Sequence, residues 1–150
     1  MEIKIREAVL SDAEEIQSCV QVAYQHYIER IGKPPGPMLD DYSKVIKSHL
    51  VYVAESDGVV GVLVLMKSEN RFLLDNVAVD PSQQGKGIGM KLIKLAESYA
   101  CRLGYKKIEL YSHESMHENI SLYSSLGYSE KDRKNVSGYD RIYMEKELVC

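Results

Sequence analysis

Gly85, Gly87 and Gly89 stand at alternate positions between Asp80–Pro81 and a helical run that starts at Ile88. Without a Cβ, such residues let a ligand approach the backbone closely. The first turn of the helix that follows offers unpaired N–H groups and the positive end of a macrodipole. Together they make an anion site, and the natural guest is a phosphate or pyrophosphate. Just upstream, Asp75 is a carboxylate within the buried-strand pattern Phe72–Val79. Burying it is costly unless it has a partner or a task. Of the four histidines, His113 follows a strand and His117 opens a helix, while His26 and His49 read as surface residues. None has a partner identifiable from sequence.

Three phosphate-binding patterns compete for the glycine turn. A Walker loop is excluded because no Lys-Ser or Lys-Thr follows. A G-x-G-x-x-G fingerprint fails, since its last position falls on Met90 or Leu92. Gln84-Gly85-Lys86-Gly87-Ile88-Gly89 fits Gln/Arg-x-x-Gly-x-Gly/Ala without a gap. About 35 residues on, Glu118 to Tyr128 carries Asn119, Tyr123, Gly127 and Tyr128 in an Asn-x-x-x-Tyr-x-x-x-Gly-Tyr arrangement. With these two motifs in this order the chain resembles the GNAT superfamily of acetyl-CoA-dependent N-acetyltransferases, and the resemblance covers nearly its whole length.

The resemblance implies acetyl-CoA as co-substrate, no metal, and attack by a primary amine. Such an amine must lose a proton, the oxyanion needs donors, and the departing thiolate needs a proton. Backbone N–H groups of Gly85, Gly87, Gly89 and Met90 would take the pyrophosphate, with Gln84 shaping the turn. Lys86 would add charge at the 3′-phosphate or simply be solvated. The backbone at Val77 and Val79 would pair with pantetheine, where a bulge can aim an N–H at the thioester. Asn119 would bond the same arm or serve its own helix start. Tyr123 matches the family's general acid, against a packing role beside Leu122 and Leu126. Asp75 matches the position of a general base, against a structural hydrogen-bonding role. The acceptor site would come from the first two helices and their connection: Tyr24, Tyr27, Arg30, Met38, Asp41 and Tyr42. Asp40 and Asp41 would attract a cation or, more simply, cap a helix. A small-molecule amine is the expected acceptor. A protein N-terminus or lysine, or a CoA-binding sensor without catalysis, are the alternatives, and a homodimer through the closing hairpin Tyr128–Leu148 is open.

Periodicity supplies the elements that carry these residues. Ile3–Val9 alternates as a strand, and Ser11–Glu14 reads as a capping box for a helix running to Gly32. Lys33–Pro37 breaks the helical pattern, and a shorter helix spans about Asp40 to His49. Leu50–Glu55 and Val59–Lys67 form a hairpin around Asp57-Gly58. Phe72–Val79 is the central strand, followed by the glycine turn and a helix ending near Gly104. Lys107–Ser112 is a strand, Ser115–Glu118 a second capping box, and Tyr128–Arg133 with Tyr139–Lys146 close the chain across a polar loop. This order predicts one α/β (α+β) domain over residues 1–150, with a mixed, mostly antiparallel sheet of about seven strands and four helices.

Composition narrows the function classes. The 150 residues are 45% hydrophobic and 27% charged, as in an ordinary globular domain. A net charge of −3 argues against nucleic-acid binding. There is no long apolar run and no leader pattern at the start, so the reading is cytoplasmic with no membrane partner. Cys19 and Cys101 read as packing residues and Cys150 as a tail thiol, three cysteines with neither disulfide nor metal spacing.

Overall fold

Alternating apolar residues set seven strands: β1 (Lys4–Glu7), β2 (Leu50–Glu55), β3 (Val59–Lys67), β4 (Phe72–Val79), β5 (Lys107–His113), β6 (Ser129–Val136) and β7 (Tyr139–Glu147). They form one sheet in the order β1-β2-β3-β4-β5-β7-β6. Every pairing is antiparallel except β4 with β5. The helices are α1 (Ala13–Tyr24), α2 (Tyr27–Ile31), α3 (Tyr42–Ser48), α4 (Ile88–Arg102) and α5 (His117–Ser125). This computed structural model describes residues 2–150. The mixed α/β sheet matches the expected fold class, with five helices because the first predicted helix is broken after Tyr24.

Two buried layers flank the sheet. On one side Ile16, Cys19, Val20 and Tyr24 of α1 pack with Val53, Val62, Val64 and Ala78. On the other, Ile88, Leu92, Ile93, Ala96 and Ala100 of α4 pack with Leu63, Leu65, Phe72 and Leu74. Gly61 lets α4 lie close to β3. A Cβ there would stand 3.1 Å from Ile88, and 3.2 Å from both Ala54 and Leu92.

Several local expectations are corrected. Ser11 does not cap α1. Asp12 is buried instead, its carboxylate taking Val9 N–H at 2.8 Å and two Arg6 bonds at 2.9 Å. The second capping box is also absent, because Glu118 turns away from its own helix start to pair with Arg30. Within the proline-rich segment Gly36–Leu39 forms a 3-10 turn, which the fixed φ of proline near its start permits. Cys101 and Cys150 are joined by a disulfide that ties the C-terminal residue to α4. A separation of 49 residues hides such a pair from local pattern reading. Cys19 is buried and free, and burial pushes its thiol up to about 12. No helix among the described residues is long and apolar enough to cross a membrane.

Candidate active site

The site begins where β4 changes face. From Gly61 to Leu65 β3 alternates regularly, but the register on β4 skips Asp75, pairing Leu65 with Leu74 and Val64 with Asn76. This bulge shifts the side-chain alternation by one residue. Phe72 and Leu74 therefore face α4, whereas Asn76 and Ala78 face α1. Asp75 and Asn76 consequently both enter one cavity. The strict alternation read from sequence does not hold across Asp75, and the break is what brings its carboxylate into the site.

The bulge coincides with a parting of strands. β4 and β5 are registered only at Leu73–Glu109 and Leu74–Leu110. Beyond these pairs the sheet opens. The Asp80 N–H donates to the Val60 carbonyl, so by the alternation of an antiparallel ladder Val79 and Val77 turn their N–H and C=O groups away from β3. Those groups face the opening. The Val77 carbonyl takes a hydrogen bond from Tyr24 Oη at 2.9 Å.

Two cavities meet at this opening. A chamber of about 320 Å³ is lined by Asp75, Asn76, Tyr111, His113, Tyr123 and Arg141, among others. A larger groove of about 1030 Å³ runs past Val77, Val79, Gln84, Gly85, Gly87, Gly89 and Met90. Tyr24, Val77 and Asn119 line both. Gly85 and Gly87 have φ of +84° and +75°, the left-handed region that glycine enters without penalty. Gly87 caps α4, so its first-turn N–H groups point into the groove. The groove thus offers backbone donors at one end and a free strand edge at the other. That is the shape and chemistry of an extended anionic ligand.

The chamber is polar and aromatic. Tyr111 Oη donates to Asp75 Oδ1 at 3.0 Å. Tyr123 is buried and its hydroxyl has no hydrogen-bond partner among the described residues; burial raises it above the ordinary tyrosine value. It therefore keeps its proton at neutral pH, as a proton donor must. Asn76 joins Tyr24 and Tyr42: its Oδ1 lies 2.5 Å from Tyr24 Oη, and its Nδ2 donates to Tyr42 Oη at 3.2 Å. Tyr42 in turn donates to the Pro37 carbonyl at 2.7 Å. Tyr139 Oη donates to the Pro34 carbonyl at 2.6 Å. These two bonds hold the proline-rich turn so that Pro35, Gly36 and Pro37 form part of the chamber wall.

The remaining sequence candidates take other places. Asp41 caps α3, accepting from Ser43 N–H at 3.0 Å, while its neighbour Asp40 lines the chamber. Partial desolvation, then the nearby Asp75, raise the Asp40 carboxyl above its ordinary value. Arg30 is engaged by Glu118 at 2.6 and 3.1 Å, which lowers that carboxyl to about 2. Met38 is core, its carbonyl holding Gln21 at 2.9 Å. Tyr27 lines the groove, and its hydroxyl is pushed up to about 12 by burial. Lys86 reaches Gln83 at 3.0 Å and is not in the groove wall. His49 lines the chamber where the sequence suggested a surface residue, and His113 Nδ1 accepts from Ser115 N–H at 3.0 Å. With that nitrogen engaged and burial lowering its pKa, His113 is neutral with its proton on Nε2. Among the described residues no group of three or more His, Cys, Asp or Glu could hold a metal ion.

Sequence reasoning missed Asn76, Tyr111 and Arg141 as chamber residues. Asn76 carried a signal, being a second polar residue in a buried strand. Tyr111 and Arg141 carried none, since they sit on ordinary alternating strands.

Comparison with known proteins bears on the family and the fold. The family model described as acetyltransferase (GNAT) domain matches residues 47–130. An Escherichia coli K12 protein, uncharacterized N-acetyltransferase YjgM, is 31% identical over 103 residues, 64% of this chain and 62% of the relative. Uncharacterized N-acetyltransferase YvbK of Bacillus subtilis 168 is 29% identical over 99 residues, 65% and 63% of the two chains. The chain thus spans a little under two thirds of each of these relatives. The crystal structure of the PaiA N-acetyltransferase of Thermoplasma acidophilum, in complex with coenzyme A, superposes with a TM-score of 0.81 at 21% identity. That likeness covers 99% of this chain and 100% of the other.

Proposed function

The chain belongs to the GNAT acetyltransferase family, and we propose that it moves the acetyl group of acetyl-CoA onto the primary amine of a small molecule. The observation that carries this reading is the meeting of groove and chamber at Tyr24, Val77 and Asn119. In this reading the amides of Gly85, Gly87, Gly89 and Met90 hold the pyrophosphate at the start of α4. Val77, Val79 and Asn119 guide the pantetheine arm along the opened edge of β4. The thioester then lies at the junction, with Tyr123 on one side and Asp75 on the other.

Asp75 removes the amine proton, directly or through a water, and Tyr111 holds that carboxylate in place. Tyr123 protonates the departing thiolate. Holding amine and thioester together supplies much of the acceleration, which can be worth ~7–11 kcal/mol. The buried Cys19 thiol stays protonated at neutral pH, so it is not an acyl carrier. This favours direct attack in a ternary complex. The held Pro35–Pro37 wall favours a small acceptor over an extended peptide. Dependence on acetyl-CoA suits a cytoplasmic site of action.

Initial rates of free-thiol release test the reading. Varying acetyl-CoA and a primary amine together is expected to give intersecting double-reciprocal lines, with alcohols of the same shape inactive. Parallel lines, or release indifferent to any amine, would overturn it. Turnover of peptides alone would transfer the activity to a protein-modifying enzyme.

A further inference from the structure

We infer that the acceptor is amphoteric: a primary amine whose skeleton also carries a carboxylate, which Arg141 receives. The inference rests on the acetyl-transfer reading for the site, but it draws on groups that reading leaves unused. Arg141 lines the chamber and has no carboxylate partner within salt-bridge distance among the described residues. Its guanidinium stacks on the face of Tyr111, 4.1 Å from the ring centroid. The hydroxyl of that same tyrosine holds Asp75. One ring therefore carries a fixed cation on its face and a fixed anion at its edge, and both border one small cavity.

The neighbours of Arg141 do not neutralise it. Across β7 it registers with His113 on β5 and with Lys134 on β6. His113 is neutral, and Lys134 is turned to Asp132 at 3.5 Å. The chamber's acids, Asp40 and Asp75, form no ion pair with it among the described residues and are left to meet the amine. A partly desolvated guanidinium without an anion is an unmet cost. Its planar fork matches a carboxylate in two-point geometry, and stacking has already fixed its orientation. A purely cationic amine would meet Arg141 as a repulsive group, so the same residue selects against polyamines. An ammonium toward Asp75 and Asp40 with a carboxylate toward Arg141 satisfies both ends at once.

Matched acceptor pairs test this. Lysine with cadaverine, histidine with histamine, and tyrosine with tyramine differ only in the carboxylate. At saturating acetyl-CoA, at least one carboxylate-bearing member is expected to exceed its partner in kcat/KM by tenfold or more. Arg141→Gln is expected to cut that ratio at least tenfold, mainly through KM, and Arg141→Lys to keep part of it because the charge remains without the fork. A thermal-unfolding scan checks that both variants fold. Preference for the decarboxylated member in all three pairs, or an unchanged ratio in Arg141→Gln, would overturn the inference. Calorimetry on the protein–CoA complex separates this result from failure of the transfer reading. If nothing is acetylated but an amino acid binds wild type and at least tenfold more weakly to Arg141→Gln, the inference stands without catalysis. If none of the three amino acids binds wild type, it falls.

Discussion

Tyr123 and Asp75 line the chamber from different elements, and each has a distinct consequence when changed. Tyr123→Phe keeps the ring and its edge contact with Tyr128 at 5.9 Å, but removes the proton. We expect kcat to fall roughly 10²–10⁴-fold, the range of a lost general acid, with acetyl-CoA affinity preserved in a direct binding titration. Unchanged kcat would return Tyr123 to a packing role. Asp75→Asn keeps the Tyr111 contact while removing the proposed base. The acceptor's kcat/KM is expected to drop by about 10², the loss shrinking as pH rises and more amine is already free. At this scale the sequence was partly legible. Asp75 and the glycines stood out because a buried charge or a run of glycines violates local expectation, and Tyr123 only through the family resemblance of its motif. Arg141 and Tyr111 did not, since a polar residue on a half-exposed strand violates nothing, and their proximity depends on which strands become neighbours.

Elements convert those residues into a site through two irregularities, the bulge at Asp75 and the left-handed turn before α4. Gly87 has φ of +75° yet nothing lies within 4 Å of an added Cβ, so its requirement is conformational and not spatial. Gly87→Ala is expected to strain the turn by roughly 1–2 kcal/mol and to weaken CoA binding about tenfold in calorimetry. Wild-type affinity in that variant would remove the turn from the anion site. Gly61 is the opposite case, a spatial requirement without unusual φ. Gly61→Ala presses on Ile88, Ala54 and Leu92 and is expected to cost about 1–3 kcal/mol in denaturant unfolding. The succession of elements along the chain, the hairpins and the glycine turn were readable because each has a local signal. The bulge was expected only from the family resemblance, near Val77 and Val79, and its place at Asp75 was not readable, because an extra strand residue shows only against its partner. Both capping boxes were misread for a related reason: Asp12 and Glu118 found stronger partners, Arg6 and Arg30, that are distant or on another element.

The whole molecule is held at its rim by contacts that lie apart from the chemistry. Asp12 sits buried between Arg6 and the Val9 amide, and Arg6 holds its carboxyl below the ordinary 3.8. A folded value below the unfolded one gives stability that is full above 3.8 and is lost as pH falls through the lower, folded value. Asp12→Asn is therefore expected to cost roughly 2–3 kcal/mol at neutral pH. The gap between variant and wild type should close in acid, and a gap constant down to pH about 2 would contradict the linkage. The link between Cys101 and Cys150 closes a loop of 49 residues. Its reduction is expected to lower stability by roughly 2–4 kcal/mol, seen as a Tm lower in dithiothreitol for wild type but not for Cys150→Ser. Above both stands the proposed joining of a CoA groove to an acceptor chamber, which requires that acetyl pass from one to the other without resting on the protein. Mass spectrometry after turnover with carbon-13-labelled acetyl-CoA and a pool of small primary amines tests that most directly. The account predicts a labelled N-acetyl product and no labelled protein. Label retained on the protein, or left on coenzyme A while every amine stays unmodified, would contradict it.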